Sequence, residues 1–284
     1  MANLVKKIKT ASGDAQIDYN ALANLPTISN PNLLINSDFR KPVNQRGNTS
    51  YTGTGANIRY TIDRWGVVNG PVVTVQDGSL KIQVSSNDTY TGRFKQIFEH
   101  DLPIDFYTLS VKVKSNTHNV EIGNFGKINA GFTGIYSHTS IERSLSSIEF
   151  VIAKGASIEI EWIKLERGTT ATPLSPRPYA EELALCQRYY ENRTVIFFPY
   201  NGTAPAQYYI AVNGDSHRVT KRTEPNLTFS KFTDHNNTEV SANLSTDNNH
   251  KPTQTKDYIR MITLASNCNN YLLRSTIEFD AEIY

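Results

Sequence analysis

The chain has 284 residues, with 29 basic and 27 acidic side chains and a formal net charge of +2. This near balance excludes a generally basic nucleic-acid-binding protein. No run approaches the roughly 18 consecutive apolar residues of a membrane span, so membrane insertion is not expected. The N-terminus lacks the features of a secretory signal, which predicts synthesis and retention in a cytoplasm. Cys186 and Cys268 are therefore expected to be free thiols.

Residues 1–29 have the pattern of a leader that attaches the rest of the chain to a partner. A short helical turn is predicted over Tyr19–Leu25, because apolar residues share one helical face there. Such a turn is too short to be stable alone, so it must pack on the body of the chain or on a neighbouring subunit.

Residues 30–172 are predicted to form a jelly-roll β-sandwich of antiparallel strands. Apolar and polar residues alternate over Tyr107–Lys114 and again over Leu80–Val84, as is typical of half-buried strands. Over Ile158–Leu165 the alternation changes phase. This change predicts either a β-bulge near Trp162 or a strand buried on both faces.

Residues 173–284 are predicted to form a helix that leads into a second antiparallel β domain. Prolines 173, 176 and 178 impose a stiff, extended path, after which the helix begins. One face of this helix, called the stripe, is predicted to contact the core or another subunit. The residues on the stripe are Leu183, Cys186, Gln187 and Tyr190. Strands return from Thr194 to Tyr284, with a weak strand expected at Val240–Leu244. The fold class is thus mainly β.

No sequence motif assigns a catalytic residue, a metal site or a cofactor. The six histidines lack the spacing of a zinc-binding helix, and no phosphate-binding loop or nucleophile elbow is present. Two carboxylate pairs are the candidates for glycoside cleavage: Asp101 with Asp105, and Glu159 with Glu161. We expect a turn for the first pair and a solvated strand surface for the second.

Two further charged segments have competing interpretations. Asp63, Arg64 and Trp65 follow a strand-like run and are expected to anchor a corner of the core, although an ion pair beside an indole is also a binding feature. The run His217–Arg222 is the only local basic cluster. It could contact an anionic surface polymer, but a solvated β edge is the favoured interpretation.

Tyrosines in polar loops are the candidate ligand-binding residues. The chain has 15 tyrosines against two tryptophans. A tyrosine can stack on the face of a sugar while its hydroxyl bonds to water or to the ligand. The candidates for stacking on a glycan are Tyr51, Tyr90, Tyr136, Tyr200 and Tyr271.

Three parts of the sequence carry a resemblance to a known family. They are residues 9–26; residues 32–39 with 42–47 and 62–65; and residues 158–166 with 172–173, 176–183 and 186–190. Together they resemble phage and prophage tail-fibre or receptor-binding proteins. The first part is similar to the segment that precedes a distal domain in such proteins, the second to the start of their carbohydrate-binding-module-like jelly roll, and the third to the end of that domain and its following helix. Beyond Tyr190 the resemblance is looser.

The resemblance implies a non-enzymatic virion protein that is assembled in the bacterial host cytoplasm. It implies a homotrimer that contacts other tail proteins through the leader and binds a bacterial cell-surface polysaccharide. Trimerisation would strengthen weak individual sites by raising their effective concentration. A structural tail adaptor or spacer without ligand binding remains an alternative. A polysaccharide depolymerase is a weaker one, because no β-helix repeat is visible.

Overall fold

The computed structural model describes residues 29–199 and several shorter segments. These segments are residues 7–10, 13–16, 207–211, 219, 221–223, 226–230, 232–233, 239–240, 258–262 and 273–282. The described residues form a mainly β protein with a single α-helix, as the sequence predicts. No helix in this part of the chain is long and apolar enough to cross a membrane.

The strands that precede the helix are short at first and longer towards residue 167. In chain order they are β1 (Lys7–Thr10), β2 (Gly13–Gln16), β3 (Ser50–Thr52), β4 (Arg59–Tyr60), β5 (Gly66–Val68), β6 (Val72–Gln76), β7 (Ser79–Gln83), β8 (Gly92–Asp105), β9 (Tyr107–Asn116), β10 (Val120–Ile122), β11 (Lys127–Ile128), β12 (Gly134–Thr139), β13 (Arg143–Ile152) and β14 (Ser157–Arg167).

The helix and the later strands complete the described elements. They are α1 (Tyr179–Gln187), β15 (Tyr190–Pro199), β16 (Gln207–Ala211), β17 (Asn226–Phe229), β18 (Phe232–Thr233), β19 (Glu239–Val240), β20 (Tyr258–Ile262) and β21 (Leu273–Asp280).

Two six-stranded antiparallel sheets face each other as a β-sandwich. Sheet I has the order β11-β10-β13-β8-β5-β4, and sheet II has the order β12-β9-β14-β7-β6-β3. One continuous cluster of buried side chains draws on both sheets. At its centre Trp65 stacks on Phe94 with ring centroids 4.7 Å apart, and Phe39 meets Trp65 edge-on. The sandwich predicted for residues 30–172 is therefore present in this region.

The predicted alternation of buried and polar residues is confirmed in β7 and in the second half of β9. The first half of β9 is instead buried on both faces, since Thr108 and Ser110 are each only 2% exposed. Leu80 and Ile82 of β7 are fully buried, as are Leu109 and Val111 of β9. In β14 the pairing with β9 shifts register on either side of Ile160. These shifts are the irregularity that the change of phase near Trp162 predicts.

The N-terminal leader contains a two-stranded hairpin that the sequence analysis did not anticipate. In it β1 pairs with β2 in antiparallel register, from Lys7 opposite Gln16 to Thr10 opposite Gly13. The helical turn predicted at Tyr19–Leu25 lies outside the described residues.

The helix is shorter than the stripe of apolar residues suggests. It ends at Gln187, and Tyr190 begins β15, which pairs with β21. Tyr190 therefore does not belong to the helical stripe, because pairing in a sheet determines its backbone conformation. Cys186 is a free thiol, as predicted, and is buried; Cys268 lies outside the described residues.

A third antiparallel sheet follows the helix. Its order is β19-β18-β21-β15-β16-β20, and β17 also pairs with β21. Of the weak strand predicted at Val240–Leu244, the structure places Val240 in β19, and residues 241–244 lie outside the described part.

A buried ionic junction, formed by Arg46, Asp63, Arg64 and Glu282, joins the sandwich to the third sheet. Arg64 Nη1 lies 2.8 Å from Glu282 Oε2, and Arg46 Nη1 lies 3.1 Å from Asp63 Oδ1. The Arg64 guanidinium also lies over the ring of Tyr189, at 3.6 Å from its centroid. The corner role expected for Asp63, Arg64 and Trp65 is confirmed, and it includes a contact with Glu282, which follows β21.

The expectation of a solvated edge for the basic run is wrong for Lys221. Its side chain is buried, and its Nζ donates to Glu191 Oε2 at 2.5 Å and to the Gln187 carbonyl at 2.6 Å. Arg222 donates to the carbonyls of Ala281 and Glu282. Both cations are bound by acceptors from distant parts of the chain, which the local sequence around them does not indicate.

Candidate functional site

The outer face of sheet II carries rows of side chains set by strand register. Ile135 of β12 stands opposite Lys112 of β9, which stands opposite Trp162 of β14. Asp38 makes an isolated bridge to Trp162 and extends this row beyond β14. Directly opposed residues of an antiparallel pair project to the same face. The first row thus places an aliphatic group, an amine, an indole and a carboxylate side by side.

A second row lies next to the first and is partly covered by the chain that leaves the sandwich. Ser137 stands opposite Ser110, and Ser110 stands opposite Lys164. The two serine hydroxyls are 2.9 Å apart. Residues 171–174, which we call the strap, pass over Lys164, whose Nζ donates to the Pro173 carbonyl at 2.9 Å.

A groove of about 390 Å³ lies along this face beside the strap. This volume is within the range of small-molecule sites in proteins. The groove combines one aromatic residue, aliphatic groups, hydroxyls and one guanidinium. Its lining residues are Arg40, Ser110, Ile135, Ser137, Trp162, Ala171, Thr172, Pro173 and Leu174.

The irregularity in β14 explains why an indole lines the groove. Ile158 and Ile160 face the core before it, and Ile163 and Leu165 face the core after it. The change of phase leaves Trp162 on the outer face, where its side chain is 9% exposed. The indole is thus mostly buried against neighbouring residues, and its small exposed part lines the groove.

Arg40, at one wall of the groove, forms a bidentate ion pair with Asp38. Arg40 Nε and Nη2 donate to the two carboxylate oxygens of Asp38, each at 2.7 Å. Hydrogen bonding to Asp38 raises the pKa of the Arg40 guanidinium, and Coulombic attraction from Asp38 and Glu161 acts in the same direction against partial burial. This wall of the groove therefore presents hydrogen-bond donors of Arg40 beside carboxylate acceptors of Asp38.

The strap is locked to the sheet by a buried network. Lys164 Nζ lies 3.2 Å from Glu166 Oε2, and both side chains are fully buried. Glu166 accepts from the Thr172 backbone N–H at 2.8 Å, and Ser29 Oγ donates to the Pro173 carbonyl at 2.7 Å. Because Ser29 precedes the sandwich and Pro173 follows it, the two ends of the domain are fastened together. The strap wall of the groove is consequently preformed.

None of the described tyrosine candidates lines this groove. Tyr51 belongs to the core, where its hydroxyl donates to Asn44 and its ring presents no free face. Tyr90 is 65% exposed in a loop. Tyr136 is half-buried, its hydroxyl donates to the Phe125 carbonyl at 2.5 Å, and its ring lies parallel to that of His138. Tyr200 and Tyr271 lie outside the described residues.

Sequence reasoning missed the groove residues Trp162, Arg40 and Ile135. The signal for Trp162 was present, since the change of phase at this residue marks a side chain that leaves the core. Arg40 and Ile135 carry no comparable local signal. Ile135 reaches the groove through the register of β12 on β9, and Arg40 through the neighbouring bridge between Asp38 and Trp162.

Two of the four carboxylates considered for glycoside cleavage, Asp105 and Glu159, are engaged in ion pairs. Asp105 lies at the end of β8, not in a turn, and hydrogen bonds from Arg167 and the Phe106 N–H lower its pKa. Partial burial raises the pKa of Glu159, but hydrogen bonds from Lys114 and Ser79 outweigh this effect and lower it. A lowered pKa favours the ionised carboxylate, which is the wrong form for a general acid. The described residues contain no cluster of three or more metal-ligating side chains.

Comparison of the sequence with protein-family models and with curated proteins yields no match. The interpretation of the groove therefore depends on the chemistry of its lining and on the resemblance in the sequence.

Proposed function

We propose that the chain is a non-enzymatic phage tail-fibre or receptor-binding protein that attaches to a bacterial surface glycan as a homotrimer. The groove on the outer face of sheet II carries this proposal. A sugar ring has apolar C–H faces and a rim of hydroxyls. The groove offers Ile135 and the small exposed part of Trp162 for the faces, and Arg40 for the rim, with its partner Asp38 next to the lining.

Trimerisation is consistent with an open groove of this size. A shallow site with few polar groups binds a single sugar weakly, because little surface is buried in the complex. Three copies held together act on one polysaccharide with an effective concentration that a single copy lacks. The oligomeric state is measured by light scattering on the full chain, and a monomer would contradict this part of the proposal.

A matched pair of isoleucine variants tests glycan binding. Ile135, at the groove, is 58% exposed, and Ile141, outside its lining, is 73% exposed. Ile135→Ala should weaken adsorption to host cells and binding to their isolated polysaccharide by roughly tenfold per site. Ile141→Ala should leave both unchanged. Equal effects of the two variants would contradict a role for the groove.

A structural adaptor or spacer is the second candidate, favoured by the buried ionic junction. A spacer must transmit position rigidly, and the pair Arg64–Glu282 fixes the third sheet on the sandwich. Particles that carry Ile135→Ala distinguish the two functions. A receptor-binding protein would retain assembly and lose adsorption, whereas a spacer would retain both. New reducing ends released from the polysaccharide would instead indicate a depolymerase.

A further inference from the structure

The charges at the groove compensate each other. Arg40 is held by both oxygens of Asp38, and Glu161 attracts the same guanidinium. Lys112 lies in the first row but outside the lining of the groove. Arg40 is the one charged residue among the described residues of the lining, and the carboxylates of Asp38 and Glu161 compensate its charge, so the groove offers no excess positive charge to a ligand.

The cation beneath the strap is also engaged. Lys164 donates to Glu166, to the hydroxyl of Thr172 and to the carbonyl of Pro173. It is fully buried and its hydrogen bonds are made within this network. Lys164 therefore offers no unpaired charge to an anionic ligand in the groove.

This arrangement disfavours an acidic sugar. A carboxylate or phosphate placed at Arg40 would lie beside the Asp38 carboxylate, whose charge already compensates that of the guanidinium. Desolvation of the anion would then be poorly compensated, and like charges would be brought together. A hydroxyl group has the opposite property, because it accepts from Arg40 and donates to Asp38 without disturbing the pair.

We propose that the groove binds a neutral pyranose, either a hexose or an N-acetylhexosamine, and rejects sugars that carry a carboxylate or a phosphate. The inference rests on the proposed function and adds the class of glycan and its site. The ring packs on Ile135 and the edge of Trp162, and neighbouring hydroxyls bond to Arg40 and Asp38.

The test uses the full chain on an array of neutral hexose and N-acetylhexosamine oligosaccharides, with matched oligosaccharides that contain uronic acid or phosphate. The wild type should bind a neutral member at least tenfold more tightly than its acidic counterpart. Ile135→Ala should weaken that binding. Preferential binding of acidic members would overturn the inference while leaving receptor binding intact.

Asp38→Asn provides a second measurement, since it keeps the size of the side chain and frees the guanidinium. It should reduce the preference for neutral over acidic glycans by roughly tenfold and make acidic binding sensitive to salt. Asp77→Asn, in the exposed turn between β6 and β7, is the matched control. An unchanged preference in Asp38→Asn would overturn the inference.

Two further outcomes separate this inference from the proposed function. Neutral glycans that bind equally well to the wild type and to Ile135→Ala would place the site elsewhere, so the inference would fail and receptor binding would stand. No binding to any member, together with no adsorption to host cells, would overturn both.

Discussion

Asp63 shows how one side chain depends on its surroundings. Burial raises its pKa from 3.8 to about 7, although Arg46 and the hydrogen bonds from Gln45 act in the opposite direction. The folded protein therefore takes up a proton at Asp63 in a pH range in which the unfolded chain has already lost it. This residue makes folding more favourable as the pH falls.

We predict that Asp63 makes the free energy of unfolding increase as the pH falls from about 8 to about 5.5. One titrating group changes the free energy of unfolding by at most about 1.4 kcal/mol per pH unit. Asp63→Asn should remove this contribution, because the amide does not titrate. Urea unfolding of the wild type and the variant at several pH values measures the difference.

Asp77→Asn, at an exposed position, is the control and should retain the slope of the wild type. The same slope in Asp63→Asn would show that Asp63 titrates alike in the folded and unfolded chains.

At the scale of elements, the strap depends on a buried lysine. Lys164 gathers acceptors from Glu166, Thr172 and Pro173. Lys164→Met should leave the Glu166 carboxylate buried without its cation, at a cost of about 3–5 kcal/mol in the free energy of unfolding. The same variant should weaken glycan binding, since the strap forms one wall of the groove.

Lys114→Met tests whether loss of any lysine ion pair on sheet II has this effect. Lys114 pairs with Glu159 at 2.8 Å, but its side chain is about half exposed. Its replacement should change stability little, because water screens an exposed pair. Chemical unfolding and glycan binding are measured for the two variants side by side. If Lys164→Met and Lys114→Met gave the same results, the role of the strap would be contradicted.

At the scale of the whole molecule, the ionic junction makes the sandwich and the third sheet interdependent. Glu282 is buried, pairs with Arg64 at 2.8 Å and lies 3.6 Å from Arg46. Deletion of residues 173–284 would remove this carboxylate and leave both guanidinium groups without it. Point variants are consequently the cleaner way to separate assembly from adsorption.

Glu282→Ala should destabilise the chain by about 3–5 kcal/mol, because the Arg64 charge stays buried without its partner. The double variant Arg64→Met with Glu282→Leu removes both charges and should recover most of that loss. Equilibrium unfolding in denaturant measures both. A double variant no more stable than the single one would show that packing, not charge pairing, dominates at the junction.

Local sequence patterns predicted elements well where one face of a strand is buried. The alternation in β7 and in the second half of β9, and the change of phase in β14, follow from side-chain period alone. The pattern failed at Tyr190, where pairing with β21 overrode a helical stripe, and at Lys221, where Glu191 supplies a buried partner. In both cases the deciding contact comes from a distant part of the chain.

The sequence by itself determined the mainly β class, the sandwich region and the position of the irregular strand, because each depends on spacing between neighbouring residues. Only the tertiary structure decided where the groove lies and which residues line it. Register brings Ile135 and Trp162 onto one face, and the bridge between Asp38 and Trp162 brings Arg40 beside them. The ionic junction likewise depends on buried charges that lie far apart in the sequence, such as those of Arg64 and Glu282. Composition and periodicity carry no information on such pairings.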